Sequence, residues 1–93
     1  MTDFVSIYQK SDNYIPGEFA LCGGNTLRTA IELCDYRLTE ADLQEYMDIF
    51  RRNGVVYVVN VDYYDRTKVK NTAATFMIVS KEKEKEMEET GAL

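Results

Sequence analysis

Residues 3–9, Asp-Phe-Val-Ser-Ile-Tyr-Gln, are dense in β-branched and aromatic side chains and predict a strand. Lys10-Ser11-Asp12-Asn13 and Pro16-Gly17 are turn punctuation. Residues 18–22 then predict a short returning strand, and Gly23-Gly24 ends it. Apolar positions next recur at Leu27, Ala30, Ile31, Cys34 and Leu38, the spacing of one helix face. Asn25 or Thr26 caps that helix, which is expected to reach about Tyr36. A second helix begins after Thr39, with Glu40 and Asp42 at its positive end and Leu43, Tyr46, Met47 and Phe50 as its apolar stripe. Arg51 and Arg52 suit its last turn, and Asn53-Gly54 is a stop signal.

The run from Val55 to Tyr64 is the strongest strand signal in the chain. Alternation puts Val55, Tyr57, Val59, Val61 and Tyr63 on one face. Val56, Val58, Asn60, Asp62 and Tyr64 fall on the other. Asp65-Arg66-Thr67 predicts a turn, and residues 68–80 a returning strand. On it Ala74, Phe76 and Ile78 share one face, and Ala73, Thr75, Met77 and Val79 the other. The tail from Lys81 alternates Lys and Glu and is either helical or disordered.

These elements predict an α+β fold of order β-β-α-α-β-β. A mostly antiparallel four-stranded sheet carries two helices packed on one face. Residues 1–80 form one domain and residues 81–93 a charged C-terminal tail. The order of the strands stays open. The wholly apolar face of strand 55–64 is the natural one to meet the helices. That leaves Val56, Val58 and Tyr64 on a face needing cover from the C-terminal tail, a second copy or a different protein. The tail offers little beyond Met87 and Leu93 to bury, and the three residues become dimer-sheet candidates for a homodimer. Leaving such side chains wet forfeits roughly 1.5–3 kcal/mol each.

Composition narrows the chemistry. The 93 residues carry 11 Lys plus Arg, 16 Asp plus Glu and no histidine, for a net charge of −5. Without histidine there is no Ser-His-Asp or Cys-His nucleophile and no imidazole metal ligand. The acidic balance argues against direct nucleic-acid binding. No apolar run reaches the length of a membrane span. Met1-Thr2-Asp3-Phe4 lacks the basic start of a secretory signal. Two cysteines, Cys22 and Cys34, are too few for a disulfide framework, so a cytoplasmic protein with reduced thiols is expected.

Three constellations stand out. Acidic residues gather between Glu32 and Asp48. Glu32, Asp35, Asp42, Glu45 and Asp48, with the off-stripe apolar residues Leu33, Tyr36 and Ile49, are the candidate partner-binding set. Opposed charge would draw a basic partner to them. A solvated helix face is the plainer account of the same stripe. Gly23, Gly24, Asn25 and Thr26, following Cys22, could cradle an anion at a helix start, though no Walker-type lysine follows. Arg66, Lys68 and Lys70, close to Tyr63 and Tyr64, make a small basic hairpin tip that suits a strand end guarded against edge pairing. No catalytic residue set, metal site or cofactor is expected. The functional expectation is a small acidic interaction module, in its sharper form an inhibitor or regulator of a basic, nucleic-acid-binding protein. The second expectation is an anion-binding domain using residues 22–26.

Overall fold

The computed structural model describes residues 4–10, 20–65 and 68–91. Strands β1 (Phe4–Lys10), β2 (Ala20–Thr26), β3 (Val55–Asp65) and β4 (Lys70–Ser80) and helices α1 (Leu27–Cys34), α2 (Glu40–Asn53) and α3 (Lys81–Glu89) follow one another in the order β1-β2-α1-α2-β3-β4-α3. β1, β4 and β3 are the body of an antiparallel sheet, and β2 joins beyond β1, so the spatial order is β2-β1-β4-β3. The α+β class and the antiparallel sheet agree with expectation. The element order does not stop at two helices, because the charged tail adds a third. The expected turns at residues 11–13, 16–17 and 66–67 lie outside the described residues.

Local chemistry accounts for the element ends. Thr39 accepts a hydrogen bond from the Asp42 N–H and starts α2. Gly54 stops it in the left-handed region, at φ 75°, with its N–H on the Phe50 carbonyl. A Cβ there would sit 3.3 Å from the Lys83 Cβ, so glycine serves both the turn and the approach of α3. α1 is shorter than predicted. Asp35 leaves helical geometry at φ −154°, and its carboxylate accepts the Arg37 N–H, a local bond that competes with another helical turn. Thr26 starts α1 without a side-chain cap, its hydroxyl instead bonding that of Thr29.

Gly23-Gly24 was expected to end the second strand, yet β2 runs through both. Val5 pairs with Asn25 and Ser6 with Gly23, which leaves Gly24 as the extra residue of a bulge. The anion candidates Gly23, Gly24, Asn25 and Thr26 therefore belong to a paired strand and its junction with α1, not to an open loop.

The main core lies between the sheet and α1 plus α2. Val5 and Ile7 from β1, Val56 and Val58 from β3, and Ala74, Phe76 and Ile78 from β4 meet Leu27, Ala30, Ile31, Cys34, Leu43, Met47 and Phe50. This reverses the expected facing of β3. Val56 and Val58, at 2% and 0% exposure, are sealed by the chain's own helices. The side that seeks cover is the wholly apolar one, with Tyr57, Val59 and Val61 exposed. The polar residue that suggested a solvent side, Asn60, is buried for a specific reason. Its Nδ2 donates to the Cys34 carbonyl at the open end of α1, and its Oδ1 accepts from Arg37 and from the Asp62 N–H. The register then shifts between Asn60 and Tyr63. The extra residue swings Tyr63 to the helix side, where its ring meets Phe76 edge-on at 5.1 Å.

α3 covers part of the opposite face. Ser6 and Tyr8 alternate with Val5 and Ile7, so they point away from the main core, and both donate to the Glu84 carboxylate. The Lys81 ammonium donates to the Ser6 hydroxyl at 2.7 Å. Met77 and Val79 are buried on this face. Among the described residues, no helix is long and apolar enough to cross a membrane.

Candidate interaction surface

The acidic residues divide into paired and unpaired groups. Arg28 binds Glu40 through two nitrogens, at 2.7 and 3.1 Å, and lies 3.8 Å from Glu32. This guanidinium holds the Glu40 carboxyl down to about 2, with Gln44 adding a second donor. Arg51 pairs with Asp48 at 3.3 Å. Arg37 joins Asp35 and Asp62 at 3.5 and 3.4 Å. Asp35 is also tucked in as the residue after α1, so it is not displayed to a partner.

Asp42 and Glu45 differ. Both are exposed, and among the described residues no cation pairs with either. With Tyr46 and Ile49, which pack partly against the core, they line a recess of about 130 Å³ along the flank of α2. The four positions are 42, 45, 46 and 49, one face of consecutive turns. The Tyr46 hydroxyl is pushed up mainly by burial, and the Val59 backbone N–H that donates to it acts the opposite way. Of the partner-binding candidates, Asp42, Glu45 and Ile49 come together here. Leu33 and Tyr36 are exposed on and just after α1, and Glu32 and Asp48 are committed to arginines. Tyr46 is the member that periodicity assigned wholly to the core stripe.

A second surface is the uncovered part of the outer sheet face. Exposure climbs along β3 away from α3, through Tyr57 at 46% and Val59 at 52% to Val61 at 74%. On β4, Val79 and Met77 are buried, Thr75 is half-buried and Ala73 is exposed. The dimer-sheet candidate Tyr64 is exposed near the far end of β3, whereas Val56 and Val58 are not. Beside the bulge on the free edge of β3, Arg37 reaches the Asn60 and Asp62 side chains, and Asn60 Oδ1 takes up the Asp62 N–H.

Lys68 and Lys70 are exposed, and Arg66 lies outside the described residues. The Cys34 thiol is buried and pushed up to about 12 by that burial, with Asp35 adding to the effect. Among the described residues, no three His, Cys, Asp or Glu side chains gather as a metal site would require. No family model matches the chain, and comparison with curated proteins and with solved structures finds no match.

Proposed function

We propose that this chain is a protein-binding module that docks a basic segment of its partner on the exposed face of α2. The observation that carries this reading is the recess lined by Asp42, Glu45, Tyr46 and Ile49, whose two carboxylates pair with no cation among the described residues. A Lys or Arg side chain matches it in parts. The aliphatic stem lies on Ile49 and the Tyr46 ring, and the cationic head reaches both carboxylates. The surrounding charge of −5 speeds the encounter. A regulator that occupies the basic surface of a nucleic-acid-binding protein is the form of partner this chemistry suits.

Titration of the 15N-labelled chain with an octalysine peptide tests the reading. Amide shifts are expected to centre on residues 42–49 and to disappear in Asp42→Lys/Glu45→Lys. A control, Glu88→Lys/Glu89→Lys, makes the same change of net charge on α3 and should retain them. Equal loss in both variants reduces the effect to overall charge and overturns the site.

A further inference from the structure

We propose that α3 is a strap that opens and closes as one unit over the outer face of the sheet while the inner core stays folded, and that Glu84 is its latch. The proposal stands on different residues from the recess on α2.

The attachment of α3 is narrow. Among the described residues its backbone makes no hydrogen bond to the sheet, and the last bond before it runs from the Ser80 N–H to the Gly54 carbonyl at 2.9 Å. That bond fixes the hinge. Beyond it Lys83, Glu84 and Met87 are half-buried, and the other residues of the helix are exposed. Met87 is the one apolar residue of the helix, so apolar burial contributes little to its docking.

What holds the strap is polar and convergent. The Ser6 hydroxyl donates to one Glu84 oxygen at 2.8 Å, and the Tyr8 hydroxyl donates to the other. The Lys81 ammonium donates in turn to Ser6. Ser6 is 2% exposed and the Glu84 side chain 14% exposed. Lifting the one carboxylate breaks both bonds together. The helix is also too short, at 9 residues, to persist alone in water. Release and melting are therefore coupled, and the strap is either docked and helical or open. That is the behaviour of a local unfolding unit. α1 and α2 differ, because each lays three or more buried side chains in the core and leaves the sheet only when the whole chain unfolds.

Opening changes what the protein presents. Val79 and Met77 lie on the outer face opposite Ser6 and Tyr8, at 0% and 3% exposure. With α3 released, this end of the sheet shows two apolar side chains and two free hydroxyls in place of a helix of Lys and Glu.

Native-state hydrogen exchange tests the strap. The amides of residues 85–90 should exchange about a hundredfold or more faster than those of Phe76 and Ile78 in the central strand. Low urea should change the former little, because opening exposes little surface, and should steadily accelerate the latter. Tyr8→Phe removes one bond to the latch and should speed residues 85–90 about tenfold. Leu43→Ala, on the inner face, should speed Phe76 and Ile78 and leave residues 85–90 unchanged, because the open form keeps the inner core. In Val79→Cys, the new thiol should be alkylated about tenfold or more faster than Cys34, which reports the inner core. If residues 85–90 follow urea or Leu43→Ala as Phe76 does, the helix leaves only by global unfolding and the proposal is overturned. Indifference of residues 85–90 to Tyr8→Phe overturns it too, since the helix would then fray without reference to the latch. So does a Val79→Cys thiol no faster than Cys34, because release would not uncover the face. The urea series uses the unsubstituted chain and does not depend on any variant folding.

Discussion

The two faces of the sheet are closed by different chemistry. On one side α1 and α2 lay continuous apolar stripes against Val5, Ile7, Val56, Val58, Phe76 and Ile78. On the other, α3 has no buried residue and is held by Glu84 binding Ser6 and Tyr8, with Lys81 on Ser6. The difference teaches that burial of a β-strand face does not require an amphipathic helix. A charged helix clasped by a few hydrogen bonds also excludes water from Val79 and Met77, though only along its own short length. The inner face gains its stability from area, the outer face from a local polar clasp.

Substitution at the centre of the inner face should have the largest effect. Phe76→Ala removes a ring with 1% exposure that also meets Tyr63, and about 3–5 kcal/mol of stability should be lost in urea unfolding. The same packing shields Cys34, which should alkylate only as fast as the whole chain unfolds. On the outer face, Glu84→Ala removes the acceptor of both the Ser6 and Tyr8 hydroxyls. A loss of about 1–3 kcal/mol is expected, seen mainly as faster hydrogen exchange in α3. If the inner core loosened equally, the two faces would not be separable units.

The clasp should also respond to alkaline pH. Tyr8 is raised from 10.0 to about 12, first by its hydrogen bond to Glu84 and then by burial and by the charges of Glu84 and Glu88. A phenol ionises by losing its proton, so the neutral form is the one folding favours. The contribution of Tyr8 is complete below pH 10 and is lost as the pH rises through about 12. Absorbance titration should find a late-ionising tyrosine that is absent from Tyr8→Phe, in addition to Tyr46, which burial also pushes up. The smallest effect is expected at the open end of the face, where Val61→Thr should change monomer stability by no more than about 0.5 kcal/mol.

Most elements were legible in the sequence because periodicity, caps and turn residues agreed. α2 is the clearest case: Thr39, the acidic first turn, Arg51, Arg52 and Gly54 all act as their positions imply. The facing of β3 was not legible. Both of its alternating sets are rich in valine and tyrosine, and the deciding residue, Asn60, is a polar side chain whose partner lies 26 positions away at Cys34. The bulge after it then exchanged the roles of Tyr63 and its neighbours. The acidic stripe was legible as a composition, but its division was not. Only folding determines that Arg28, Arg37 and Arg51 occupy most of these carboxylates and that, among the described residues, no cation pairs with Asp42 or Glu45. The clasp at Glu84 had no local signature, since Ser6 and Tyr8 are almost the whole chain away.

That separation has a kinetic consequence. β3 and β4 are neighbours in sequence and can zip from their shared turn, but β1 must find β4 across most of the chain, with Ser6 and Lys81 75 positions apart. Such distant pairings repay their loop-closure entropy only once formed and slow the search. The β3–β4 hairpin with α2 is therefore the natural nucleus, and insertion of β1 beside β4 is the committing step. Until β1 arrives, β4 has a bare edge, and that interval is when the chain is most open to mispairing with its neighbours.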